Sequence, residues 1–542
     1  MFFSDEYKDG VFYGDQNFSI PYHMNYGAFV LEKFLKYKDK VALINGDTNE
    51  QITFGDLAQK IVNTTTFLTQ LGVQTEDVVA VCSENRIEFL IAACAVFCVG
   101  ATVTFLNISY GENEMNHAVN ISKPKYIFLS GSASDSHYEN LKKHNMIRKY
   151  IFFDNPPAKQ QNVISFRDLA DENIDLKSFK PVHFQGRIMT CMILYSSGTT
   201  GPAKGAKLSN LNYIIASQQP QPTERDLTML TIAPWCSTMG IVTTLQGLIF
   251  GKKIVYQSRF NERAYLRAIE KYKVGYAIVA PPVLVILCKS KVANEYDLSS
   301  LEVVTSGGAT TNIEVLNELK ARYPSIKCVI QGYGMTEATG AVTNDFEKSF
   351  KEGSVGKPVP GIIAKIVDPD SGKVLGCREP GEVCIKGPVL FEGYIGMDLD
   401  KDLYPGGFYR TGDIGYYDED GYFYIVDRIK ELIKYNAWQV SPTEIEAILL
   451  KHKDVKDAGV TGTPDQLAGE LPTALIVRQQ NSQITEKDVI EFVDTKVAPW
   501  KKLRGGVIFV DEIPKNPSGK ILRRKLKELI SESRTRKVTS KL

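Results

Sequence analysis

The chain has 542 residues, 64 Lys and Arg against 63 Asp and Glu, a formal net charge of +1, and nine cysteines. That length favours more than one domain. The near-neutral balance excludes the electrostatic case for a nucleic-acid or anionic-membrane partner. The scattered, odd number of cysteines and six dispersed histidines, with no CxxC or HExxH, exclude a disulfide framework or structural zinc site and fit a reducing compartment.

The opening MFFSDEYKDG is polar and acidic after two Phe, so it does not read as a secretory signal. Val78–Cys82 (VVAVC) reads as a buried strand followed by a helix from about Glu88. The run Phe89–Phe105 is the most apolar of the chain. It falls short of the roughly 20 residues of a membrane span and is broken by Gly100, Thr102 and Thr104. It therefore reads as a buried helix feeding a buried strand, with Cys94 and Cys98 in the core.

Further strands are expected at Lys125–Leu129, Lys149–Phe153, Met189–Tyr195, Lys253–Tyr256 and Tyr276–Val279, with helices between them such as Glu262–Lys271. That alternation predicts α/β architecture with largely parallel sheets. From about Ser354 to Tyr424, short strands are punctuated by Gly, Pro and Asp turns, as in a small β barrel. The remainder reads as a compact α+β unit in which Ser441 caps the helix Pro442–Lys451. The expected division is residues 1–426 (β subdomain about 354–426), a hinge at 427–430, and a small mobile domain at 431–542.

The sharpest chemical signal is Tyr195–Gly205, YSSGTTGPAKG, directly after a strand. It packs three glycines, four Ser/Thr hydroxyls and Lys204 into eleven residues. Glycines admit phosphate oxygens close to the backbone, hydroxyls and N–H groups donate to them, and the lysine adds a point charge. A polyphosphate is the natural guest. The spacing is not that of a Walker loop.

This segment resembles the phosphate loop of the adenylate-forming superfamily, which includes acyl-CoA synthetases, peptide-synthetase adenylation domains and beetle luciferases. The resemblance continues in order through QGYGMTE (331–337), GEVCIKGP (381–388), YRTGD (409–413), DRIK (427–430) and PKNPSGK (514–520). It is strongest toward the firefly-luciferase and 4-coumarate-CoA-ligase branch.

The resemblance implies an ATP-dependent enzyme that joins a carboxylic acid to AMP, with ATP, Mg²⁺ and CoA as cofactors. The carboxylate is already ionised, so the reaction needs charge neutralisation and positioning rather than a general base. The loop Ser196, Ser197, Gly198, Thr199, Thr200, Gly201 and Lys204 would hold the β- and γ-phosphates. Thr336 would donate to the α-phosphate, and Glu337 would be the metal ligand. Tyr333 would pack on adenine, with Gln331, Gly332, Gly334 and the Gly307–Gly308 turn beside it. Asp413 and Arg428 would hold the ribose, with Ile425 nearby. Lys520 would reach from the small domain to the α-phosphoryl oxygens. Asp427 would be the hinge about which a second face, carrying Lys434, swings in for attack by the CoA thiol.

The acid pocket implied by the family comprises Ser237, Thr238, Met239, Gly308, Gly332, Gly340 and Ala341. The chain departs from the luciferase pattern at Ser237 for His, Ala216 for Arg and Gly340 for Ser, so a firefly-type luciferin pocket is not expected. It also departs at Ala437, where Gly is common, with Trp438 adjacent; both bear on the thioester step. The absence of charge in PWCSTMGIVTTL favours a fatty or aryl acid. Two alternatives stay open: a luciferase acting on another luciferin with O₂, and a catalytically silent ATP-binding protein. The final Ser540-Lys541-Leu542 reads as a peroxisomal address, so import by the receptor that recognises it is expected.

Overall fold

The structure is a computed structural model. It describes residues 7–8, 10–17, 24–157, 162–167, 174–176, 178–184, 189–196, 203–308, 313–436, 438–515 and 519–539.

Two large sheets confirm the α/β expectation. One has seven strands in the spatial order 204–209, 190–196, 102–106, 78–82, 126–129, 149–152 and 163–165. Its pairings are parallel except for the antiparallel edge formed by Thr190–Ser196 and Lys204–Ser209. The second has nine strands, with a parallel centre running through 328–335, 303–306, 276–279, 229–231, 254–256 and 41–45.

A layer of helices and side chains from both sheets form one continuous core. At its centre lies the helix Ile87–Val99, buried at every position except Glu88. It is apolar all round because protein surrounds it, as an interior helix requires. Gly100, at φ +81, stops it in the left-handed conformation, and the fully buried strand Thr102–Leu106 follows. No helix among the described residues is long and apolar enough to cross a membrane.

Residues 363–428 supply most of a third, antiparallel sheet. Two N-terminal strands absent from the sequence reading, Tyr7–Lys8 and Val11–Tyr13, extend it through pairing of Val11–Tyr13 with Ile363–Val367. Its other side carries Phe423–Arg428 against Phe408–Tyr417. The fourth sheet has five strands from residues 433–509, all beyond the DRIK segment, and packs around its own core. The helix Pro442–Leu449 lies on it with Ser441 at its N-cap, as expected, the hydroxyl accepting from Glu444 N at 3.3 Å.

Trp235 locks the helical layer to the nine-stranded sheet. It is fully buried between Phe89 and Tyr256, with ring centroids 5.9 and 4.9 Å away, and its backbone N–H donates to Asn85 Oδ1 at 2.8 Å. Trp235→Ala is expected to cost about 3–5 kcal/mol. The check is the midpoint of chemical unfolding, and an unchanged midpoint contradicts the packing argument.

Candidate active site

Ligands of open parallel sheets gather beyond the carboxyl ends of their strands. The predicted site residues lie at such ends. Gly307 and Gly308 follow the strand Val303–Ser306, and the strand Cys328–Met335 carries Gln331 through Gly334. The strand Thr190–Ser196 enters the glycine-rich loop and Lys204 begins the strand that leaves it. Ser196 and Lys204 face each other in the ladder, so the loop is clamped at its base. Ser197, Gly198, Thr199, Thr200 and Gly201 lie outside the described residues.

Lys204 leads to a residue that the sequence reading missed. Its Nζ sits 4.7 Å from the centroid of the Tyr394 ring. The Tyr394 hydroxyl donates to Glu337 Oε1 at 2.5 Å, and the Tyr409 hydroxyl lies 3.4 Å beyond it. Burial, then the Glu337 charge, push the Tyr394 phenol up, so it stays a donor. Backbone bonds fix this arrangement: Phe391 N donates to Glu337 O at 2.9 Å and Ile395 N to Gly205 O at 2.9 Å. Tyr394 falls in none of the quoted motifs, which is why it was invisible in the sequence.

Thr336 opens a short turn and shares a hydrogen bond of 2.7 Å with Thr238 Oγ1. Thr238 starts the helix Thr238–Ile249. Ser237 caps that helix: its hydroxyl donates to Pro234 O at 2.7 Å and accepts from Gly240 N at 3.2 Å. A Cβ on Gly240 would lie 2.0 Å from Pro234 O, so the cap turn demands glycine. The same helix faces the glycine-rich strand ends. A Cβ on Gly307 would lie 3.6 Å from Met239 Sδ, and one on Gly340 would lie 3.1 Å from Val242 Cγ1. Gly340 also has φ +122, a conformation that side chains resist. Gly332 approaches Asn344, and Ala341 packs against the core. Ala216 is buried on the helix Asn210–Gln218.

Asp413 and Arg428, the residues expected from the sequence to hold the ribose, meet in the structure. Asp413 is buried, and Arg428 Nε lies 3.0 Å from its Oδ1. The Tyr333 hydroxyl donates to its Oδ2 at 2.6 Å. The two strands place Asp413 directly opposite Arg428, while Ile425 faces Gly415. Burial raises the Asp413 carboxyl above its usual range, and Arg428 and Tyr333 oppose it.

Lys520 joins this group from the small domain. Burial and then the neighbouring Arg428 guanidinium lower its ammonium below the usual lysine range, against Glu431 and Asp413. Gly519 before it has φ +82, and a Cβ there would sit 2.7 Å from Pro282 Cγ on the large domain. The glycine thus satisfies both a left-handed turn and a close approach.

Asp427 combines two attachments. Its backbone pairs with Ile414, while its carboxylate accepts from Ser441 Oγ at 2.5 Å and Thr443 N at 3.3 Å in the small domain. Lys434 is not gathered with Lys520. It is exposed on the strand Ile433–Tyr435, opposite Gln439. Ala437 lies outside the described residues, and its neighbour Asn436 has φ +45. Trp438 is half exposed and stacks on Trp500 with centroids 4.3 Å apart and planes at 10°. Ser540-Lys541-Leu542 also lie outside the described residues.

Lys204 at the base of the glycine-rich segment, the buried Glu337 carboxylate and the Asp413–Arg428 pair supply the charges that can neutralise and orient a nucleoside polyphosphate. The comparisons agree. The AMP-binding enzyme model matches residues 31–395, and the AMP-binding enzyme C-terminal domain model matches 444–520. Luciferin 4-monooxygenase of Photinus pyralis is 35% identical over 524 residues, covering 93% of this chain and 94% of that protein. Probable 4-coumarate–CoA ligase 1 of Dictyostelium discoideum is 34% identical, covering 92% and 94%. ATP-bound MatB from Rhodopseudomonas palustris superposes with a TM-score of 0.82 at 26% identity, over 93% of this chain and 99% of that one. Fold and site thus define an adenylate-forming enzyme. The chain belongs to the AMP-binding enzyme family of that superfamily.

Asp413→Asn keeps the shape of the ribose acceptor but removes its charge. Charge-assisted hydrogen bonds contribute about 1.5–3 kcal/mol, so ATP affinity should fall by about tenfold or more. Equilibrium titration with ATP checks this, and unchanged affinity contradicts the assignment.

Proposed function

We propose that the protein activates a fatty or aryl carboxylic acid as acyl-AMP and then transfers the acyl group to CoA. The observation that carries the reading is the meeting of Lys520, from the small domain, with Asp413 and Arg428. In the first step a carboxylate oxygen attacks the α-phosphorus of ATP and pyrophosphate leaves. Lys204 and its loop take the outgoing charge, and Lys520 and Thr336 take that on the α-phosphate. In the second step the CoA sulfur attacks the acyl carbon, its proton is lost, and AMP leaves.

Glu337 fits a role in holding Mg²⁺. It is a buried oxygen donor oriented by Tyr394, yet the described residues include no cluster of three or more metal-ligating side chains. A cation here would draw its other ligands from phosphate and water, as Mg²⁺ ordinarily does, and would supply charge neutralisation. The uncharged wall of Met239, Val242 and the glycines supports an apolar acid. The likeness to CoA ligases supports the thioester product.

A luciferase reading rests on the 35% identity to the Photinus pyralis protein. Against a firefly-type luciferin stand Ser237, committed to capping its helix, Ala216 and Gly340. The Ser540-Lys541-Leu542 terminus supports import into peroxisomes, which a fluorescent fusion with and without these residues tests.

The direct test offers purified protein ATP, Mg²⁺ and CoA with graded fatty acids, cinnamates and luciferins, scoring AMP, acyl-CoA and photons together. Acyl-CoA in the dark supports the ligase. Light with AMP but no acyl-CoA moves the protein to the luciferases. No AMP with any acid leaves a silent ATP binder.

Two variants separate the half-reactions. Lys520→Ala should abolish ATP–pyrophosphate exchange while ATP binding largely persists, and normal exchange would sink the role of Lys520. Lys434→Ala should spare adenylation but slow thioester formation. Equal loss of both contradicts the two-face arrangement.

A further inference from the structure

Lys520 does not find its place unaided. Glu431, one residue beyond DRIK, bridges two cations. Its Oε1 lies 3.5 Å from Lys520 Nζ, and its Oε2 accepts from Arg523 Nε at 2.9 Å. Arg523, three residues after the lysine, is fixed on every side. It donates to Glu446 Oε1 at 2.5 Å, Val460 O at 2.8 Å and Thr443 Oγ1 at 3.2 Å. Glu446 also accepts from Val460 N at 2.7 Å. The side chains of Glu431, Arg523 and Glu446 are 10, 11 and 8% exposed against 27% for Lys520. The lysine is the loosest member, tethered to a rigid base.

We propose that Glu431 is a positioning residue for adenylation: anchored by Arg523, it fixes the Lys520 ammonium beside the Asp413–Arg428 pair before ATP arrives. The inference rests on the adenylation reading above. A lysine has about 2 kcal/mol of rotamer entropy to lose, and pre-placement spends it before the reaction. Glu431 also offsets the repulsion between Lys520 and its cationic neighbours. Burial alone would raise the Glu431 carboxyl, but Lys520 and Arg523 outweigh it and hold it below its ordinary value. All four residues of the array follow Asp427, so a turning small domain would carry it intact.

The charged groups that act on Lys520 include Arg428 and Asp413 from the antiparallel sheet and Glu431 from the segment after DRIK. Removing the Glu431 charge therefore leaves the amine more often neutral and more nucleophilic.

The first arm of the test is competitive acetylation of the full chain by acetic anhydride, without substrates, read by mass spectrometry at Lys520 and Lys434. Glu431→Gln should raise labelling of Lys520 severalfold at mildly alkaline pH and leave Lys434 unchanged. An unmoved Lys520, or an equal rise at both lysines, overturns the coupling.

The second arm measures pyrophosphate exchange with dodecanoate or 4-coumarate, and thioester formation from the preformed dodecanoyl or coumaroyl adenylate and CoA. Glu431→Gln should lower the exchange kcat about tenfold with KM for ATP within about twofold. Glu431→Asp should recover part of the rate, and the thioester step should hold. Equal loss of both half-reactions, or no loss, overturns the positioning role. If wild-type protein exchanges with neither acid while Lys520 labelling still responds, the adenylation reading fails and the Glu431–Lys520 coupling stands.

Discussion

A buried carboxylate organises this molecule. Asp413 has almost no contact with solvent, and an isolated ion so placed costs several kcal/mol. It survives because three separate parts of the chain bring partners to it. The antiparallel ladder delivers Arg428, the strand Cys328–Met335 of the nine-stranded sheet delivers Tyr333, and the small domain delivers Lys520. Satisfying one charge therefore couples the antiparallel sheet, the nine-stranded sheet and the small domain. The same gathering sets charged donors and acceptors side by side, as the proposed nucleotide site requires.

The junction between the domains follows from strand geometry. Successive side chains of an extended segment point to opposite faces. Arg428 turns to Asp413 in the large domain, while Asp427 turns to Ser441 and the N-terminus of the helix Pro442–Leu449. One peptide unit thus separates a bond to each body. In the arrangement observed here Lys520 faces the site and Lys434 faces solvent, which is the disposition adenylation calls for. The proposed second step needs the opposite disposition, and rotation about this junction must break or carry the Asp427 cap.

Much of the fold was legible because its elements obey simple periodicities. Val78–Cys82 and Tyr276–Val279 are strands at their expected limits, and Ser441 caps the helix that follows it. The glycine-rich segment stood out because its composition has little other use, and the structure describes its base, where Ser196 pairs with Lys204. The strand Lys204–Ser209 escaped notice because KGAKLS lacks β-branched and aromatic residues; its place at the sheet edge, not its propensity, makes it a strand. The N-terminal strands escaped because their partner is some 350 residues away in sequence, a pairing that no local pattern encodes. Tyr394, Glu431, Arg523 and Glu446 were silent for a related reason. Each is an ordinary residue in its local context and acquires a role only through distant contacts.

The measurement that tests the account most directly is acid-dependent exchange of labelled pyrophosphate into ATP by the unaltered protein. The account predicts exchange that requires Mg²⁺ and an apolar carboxylic acid, proceeds without CoA, and stops when the acid is omitted. Tight ATP binding with no exchange, across fatty acids, cinnamates and luciferins alike, would contradict it and leave the assembled site as a nucleotide sensor.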